Sequence, residues 1–185
     1  GLEATDDAVR AAGGSDAVIA PADLADPLAV ASLVAAVYER FRRLDFVVSA
    51  AAFTSPLTPI AHQRPEDWVT SIAVNLTAPF QLMRNAEPLL RQSGGAALFI
   101  TCKEGQVPRP YYGAYAAAKA GMESLVSIYR AENATAGVRI ALFDPGPMAT
   151  KLRAGLYPGE DPANLPHPDA RAGDAVAALL GDAAA

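Results

Sequence analysis

Tyr115 and Lys119 stand four residues apart in the run Tyr115-Ala116-Ala117-Ala118-Lys119. On a helix this spacing sets a phenol and an ammonium on one face, one turn apart. A neighbouring cation favours the phenolate and lowers the phenol's pKa. A phenol tuned in this way gives or takes a proton near neutral pH, which reduction of a carbonyl requires. Other chemistries find less support. The single cysteine, Cys102, supplies neither a disulfide framework nor a zinc set. His62 and His167 lie in proline-rich loops without partners at metal-ligand spacing, so no metal site is expected.

The elements that must carry this pair alternate along the chain. Residues 2–12 read as a helix closed by Gly13-Gly14. The apolar run 17–20, between Asp16 and Pro21, reads as a buried strand. Asp26-Pro27 opens a helix that runs to about Arg43, with Val30, Leu33, Val34 and Val37 on one face. A strand over 46–50 precedes a proline-marked loop, 53–65, and a long helix follows from about 66 to 92, bent near Pro79 and Pro88. A strand over 96–101, a loop over 103–110, a helix over 111–135 and a strand over 138–143 come next. The segment 144–168 is rich in Pro and Gly, and its part 151–168 suits a mobile lid; a last helix spans about 169–181. Short apolar strands alternating with helices predict an α/β fold, a doubly wound parallel sheet with helices on both faces.

Composition narrows the function classes. The 185 residues suit one domain, and the formal net charge is −5. No basic stripe is present, which argues against nucleic acid as a partner. No apolar run approaches the roughly 18 residues of a membrane span, so no membrane partner is expected. One cysteine and no visible leader make a reducing, cytoplasmic setting the default.

With these residues in view, the segment 115–121, YAAAKAG, resembles the active-site helix of the short-chain dehydrogenase/reductase family. That family uses an Asn, Ser, Tyr, Lys tetrad. Asn75, 40 residues before Tyr115, matches its asparagine, and Cys102 occupies the place of its serine, thirteen residues before the tyrosine. Asp23 and Leu24 resemble the segment that holds the adenine. Pro145, Gly146, Met148 and Thr150, in the run 144–150, resemble the loop against the nicotinamide. The resemblance covers about residues 2–155 and implies a Rossmann-like domain that moves a hydride between NAD or NADP and a small carbonyl or alcohol. It implies Tyr115 as general acid/base, Lys119 as the residue that tunes the phenol and holds the ribose hydroxyls, and Asn75 as the residue that bends its helix for a proton relay. It further implies a homodimer or homotetramer built on the two long helices.

Two positions depart from the family pattern. Cys102 brings a thiol, a weaker donor than a hydroxyl, where the alkoxide develops. A poorer donor there slows the chemical step by on the order of 10²-fold. In the run 49–52, Ala50, Ala51 and Ala52 stand where the family has Asn-Ala-Gly, so the asparagine's hydrogen bonds are lost while small size is kept. These departures leave a second reading open: a dinucleotide-binding or scaffold protein that kept the fold but lost efficient catalysis. The family's glycine-rich phosphate loop has no counterpart here. The strands at 17–20, 46–50, 96–101 and 138–143 match the family's third to sixth, and the third has no neighbour without the first two. The sequence therefore reads as one domain, 1–185, incomplete at its beginning by about 40 residues, the size of a strand-helix-strand unit, and at its end by a final strand.

Overall fold

The computed structural model describes residues 2–181. Three parallel strands form its sheet: β1 (Phe46–Ser49), β2 (Ala96–Ile100) and β3 (Arg139–Phe143), in the order β1-β2-β3. Phe46 pairs with Ala96, and Ala96 with Arg139, so the three strands start level with one another. Alternation along β2 divides the core. Ala97 and Phe99 face the helices α4 (Ala78–Ser93) and α6 (Gly113–Glu132), where Leu90, Met122 and Val126 close the layer. Ala96 and Leu98 face α8 (Ala172–Leu180) through Leu179. Helices thus cover both faces of β2, as its uninterrupted apolar sequence requires. The fold is α/β and Rossmann-like.

The remaining helices are α1 (Leu2–Ala11), α2 (Ala29–Phe41), α3 (Pro65–Ile72), α5 (Lys103–Gln106) and α7 (Lys151–Leu156). Helix α2 lays Val30 and Val34 against Ala78 and Leu89 of α4. It starts later than Asp26-Pro27 suggested, because the Asp26 carboxylate accepts from Leu28 N–H at 2.9 Å and closes a turn before the helix. Its end is left-handed at Arg42, φ 55°.

Several expectations need correction. The strand over 17–20 does not form: the segment is irregular, with Val18 and Ile19 exposed. A strand exists only through a ladder with a neighbour, and this run pairs with none among the described residues. Residues 103–110 are not all loop, since α5 occupies their first turn. The long helix does not bend at Pro88, which lies inside an unbroken α4. Its irregularity falls at 73–77, a π-helical turn in which Ala78 N–H reaches back to the Ala73 carbonyl. Pro79 has no N–H to give the Asn75 carbonyl four residues earlier, so the regular ladder fails there. The Pro- and Gly-rich segment 144–168 contains α7 and a short turn at Pro162–Asn164.

Candidate active site

The three strands deliver their carboxyl ends to one side of the sheet, the side where open α/β folds bind ligands. Ala50 to Ala52 follow β1, Cys102 follows β2 and Asp144 follows β3. Helix α6 brings Tyr115 and Lys119 beneath them. Its first turn is fixed by Gln63, whose side-chain oxygen accepts from Ala114 N–H at 3.3 Å.

Tyr115 is 8% exposed, and its hydroxyl lies 3.4 Å from the Cys102 sulfur, within reach of a thiol hydrogen bond. Ala52, Tyr112 and Leu156 pack around this contact. Burial pushes the Tyr115 phenol well above its ordinary value, and Cys102, Glu104 and Asp144 add to the rise. The lowering expected from Lys119 is not found: the phenol is raised instead. The ammonium sits on the same helix face, 6.0 Å from the Tyr115 ring centre, but donates to the Ile100 carbonyl at 2.9 Å. Lys119 is 5% exposed; burial pushes its pKa down, against the pull of Cys102 and Glu123. Burial likewise pushes the Cys102 thiol up, so the sulfur stays protonated near neutral pH.

Asn75 is 1% exposed and sits in the π turn. Its Nδ2 donates to the Phe53 carbonyl at 2.7 Å and to the Ser71 carbonyl at 2.9 Å, while its Oδ1 accepts from Phe53 N–H at 3.1 Å. The side chain therefore clamps the chain just after Ala50–Ala52, and the backbone carbonyl beside it is the one Pro79 leaves without an α-helical partner. The asparagine holds the loop with its side chain and not the lysine.

The residues expected at a dinucleotide divide into two groups. Leu24, Ala50 and Ala51 line an apolar cleft of about 270 Å³ between α2 and β1, with Val47, Val74 and Pro79. Pro145 and Gly146 follow β3; Gly146 has φ 71° and its N–H donates to the Asp144 carboxylate at 2.8 Å. A methyl group there would meet open space, so the left-handed backbone, and not crowding, calls for glycine. Asp23 is exposed, and its carboxylate accepts from Ala25 N–H at 2.9 Å. Met148 accepts through its carbonyl from Thr150 N–H, and the Thr150 hydroxyl caps α7 by accepting from Arg153 N–H at 3.1 Å. The Asp23 and Thr150 side chains are thus engaged with their own loops.

Some contacts escaped the sequence reading. The Thr101 hydroxyl donates to the Glu123 carboxylate. The Tyr157 hydroxyl, from the segment after β3, donates to Glu104 at 3.2 Å and accepts from Arg109 at 3.1 Å. Arg153 stacks 3.7 Å from the Tyr157 ring centre and bonds Glu160 through two nitrogens. Glu123 was detectable as the next member of the 115, 119 series; the Arg109–Tyr157 pairing spans 48 residues and leaves no local signal. Tyr112 and Tyr157 pack together with ring centres 6.5 Å apart, whereas Tyr111 is exposed. His62 and His167 are exposed, and among the described residues no cluster of His, Cys, Asp and Glu is arranged to hold a metal. No described helix is long and apolar enough to cross a membrane.

Comparison with known proteins places this geometry. Residues 2–181 match the family profile described as Enoyl-(Acyl carrier protein) reductase. The chain is 34% identical over 133 residues to a D-beta-hydroxybutyrate dehydrogenase of Rhizobium meliloti (strain 1021), covering 71% of this chain and 51% of that protein. It is 32% identical over 146 residues to a 3-oxoacyl-[acyl-carrier-protein] reductase of Synechocystis, covering 78% and 59%. The chain spans about half the length of the curated relatives it matches. Among solved structures, the oxidoreductase yciK from Escherichia coli superposes with a TM-score of 0.89 at 26% identity, covering 96% of this chain and 74% of that one. An alcohol dehydrogenase from Thermococcus sibiricus, complexed with 5-hydroxy-NADP, gives 0.84 at 26% identity, covering 97% and 75%. The helix that carries Tyr115 and Lys119 thus lies in a chain that belongs to the short-chain dehydrogenase/reductase family.

Proposed function

We propose that this chain is the catalytic part of an oxidoreductase that moves a hydride between NAD or NADP and a small or medium-sized carbonyl or alcohol, with Tyr115 as general acid/base. The carrying observation is the 3.4 Å contact between the Cys102 sulfur and the Tyr115 hydroxyl, enclosed by Ala52, Tyr112 and Leu156. The dinucleotide supplies the hydride. The residues present fit it: Ala50 and Ala51 leave the end of β1 open beside Leu24, and the space beside Gly146 is clear. Asp23 and Leu24 would hold the adenine end; Pro145, Gly146, Met148 and Thr150 would border the nicotinamide.

The protein's own work is acid–base and positional. Tyr115, whose pKa is raised, keeps its proton near neutral pH and hands it to the carbonyl oxygen as the alkoxide develops. The Cys102 thiol orients that hydroxyl and offers the oxygen a second, weaker donor. Lys119 keeps a positive charge close to the developing anion. Asn75 fixes the 50–53 loop, and with it the floor of the cofactor cleft.

Oxidation of NADH or NADPH against a panel of ketones and aldehydes tests this reading. Turnover that disappears in Tyr115→Phe supports it. A catalytically weakened dinucleotide binder is the second reading, favoured by the protonated thiol at Cys102. Cofactor binding with no turnover in either protein selects that alternative.

A further inference from the structure

Helix α6 continues the series of Tyr115 and Lys119 by one more turn, to Glu123. The three side chains, at i, i+4 and i+8, share one face. Helix α5 crosses that face at Gly105, where an added methyl group would lie 3.0 Å from the Lys119 Cβ and 3.1 Å from a Glu123 carboxylate oxygen. The missing side chain lets α5 roof over the lysine and brings Glu123 into the same enclosure. There the carboxylate accepts from Thr101, the buried residue that precedes Cys102.

We propose that Glu123 is a positioning residue for the reaction: its carboxylate is the counter-charge that keeps the buried Lys119 amine an ammonium, and its bond to Thr101 ties the end of β2 to the catalytic helix. The inference rests on the catalytic reading of Tyr115 and Lys119 above. The groups that face the lysine come from several elements. From its own helix come Tyr115, neutral because its pKa is raised, and Glu123. From the end of β2 comes Cys102, whose raised pKa leaves it an uncharged thiol, and from β2 itself the Ile100 carbonyl. Glu104 on α5 and Asp144 after β3 act on Tyr115. Asn75 in the π turn is neutral and spent on Phe53 and Ser71. Burial opposes the ammonium, and with the thiol protonated Glu123 is the anion that offsets it.

The chain has three lysines, Lys103, Lys119 and Lys151, so lysine labelled with ¹³C at Cε gives three signals, and Lys119→Arg identifies one of them. Glu123→Gln keeps the shape and an oxygen for Thr101 but removes the charge. The Lys119 titration midpoint is expected to fall by about half a pH unit or more in Glu123→Gln, since removing a nearby anion disfavours the protonated amine. Glu123→Asp, which restores the charge, recovers at least part of that fall. In the enzyme assay the limit of kcat/KM at alkaline pH moves to lower pH in Glu123→Gln, in the same direction. A Lys119 midpoint unchanged within about 0.1 unit in Glu123→Gln overturns the proposal, because a residue that only bonds Thr101 would not move it. If Glu123→Gln does not fold, Glu123→Ser serves the same comparison with the same expected direction. The nuclear magnetic resonance readout is independent of turnover, so an unmoved midpoint sinks the role of Glu123 alone, while retained activity in Tyr115→Phe sinks the catalytic reading alone.

Discussion

The Cys102 sulfur lies 3.4 Å from the Tyr115 hydroxyl, so the residue that departs from the family pattern touches the residue that would carry out the chemistry. A thiol in this place keeps the geometry of a hydrogen bond and gives up much of its strength. Cys102→Ser is therefore expected to raise kcat by on the order of 10²-fold, with the fold unchanged. Single-turnover kinetics of the two proteins measure it. An unchanged or lower rate would show that the sulfur does not limit the reaction.

Asn75 makes a different kind of contribution. Buried at 1% exposure, it serves Phe53 on both its N–H and its carbonyl and also bonds Ser71. Asn75→Ala leaves these groups buried without partners and is expected to cost about 2–4 kcal/mol. Urea unfolding checks the figure, and a loss below about 1 kcal/mol would contradict the clamp.

The bonds of Tyr157 to Glu104 and Arg109 join the segment after β3 to the chain beside Cys102. Tyr157→Phe removes both without emptying the packing against Tyr112. KM is expected to rise about three- to tenfold while stability changes by less than about 1 kcal/mol, as for a partly exposed contact. Steady-state kinetics and thermal unfolding separate the two effects. An unaltered KM would place this tie outside the substrate's path.

Alkaline pH tests the buried phenols. Burial pushes Tyr129 up to about 12, from an ordinary value of 10.0. A group whose folded pKa is raised lends stability that is whole below the unfolded value and is lost as pH climbs through the folded one. Stability should hold to about pH 10 and decline from there toward pH 12, and the decline should be shallower in Tyr129→Phe. Urea midpoints collected across that range measure it; an identical slope in the variant would mean that Tyr129 titrates as an ordinary exposed phenol.

The parts of this arrangement that follow from local rules were legible in the sequence. Helix periodicity located α2, α4 and α6, and short apolar runs located β1, β2 and β3. The Tyr115–Lys119 face needed only helix geometry and the 115–121 motif. What escaped depends on partners distant along the chain. The run 17–20 has a strand's composition, yet strand structure requires a neighbour, and none pairs with it among the described residues. The π turn at 73–77 reflects a carbonyl at Asn75 and a missing donor at Pro79, whereas the sequence marked both prolines alike. Lys-Glu-Gly-Gln has no apolar period to announce α5. Gln63 caps α6 from 51 residues away, and Thr101 reaches Glu123 across 22.

The central claim is that the Tyr115 hydroxyl delivers the proton while a dinucleotide delivers the hydride. NADPH or NADH deuterated at C4 puts both halves in one experiment: the product alcohol of an accepted ketone is weighed for deuterium on its carbonyl carbon, for the native chain and for Tyr115→Phe. The account predicts deuterium in the product of the native chain, and for Tyr115→Phe a rate lower by on the order of 10³-fold with cofactor affinity within about twofold. Product formed by Tyr115→Phe at the native rate, or product without deuterium, would contradict it.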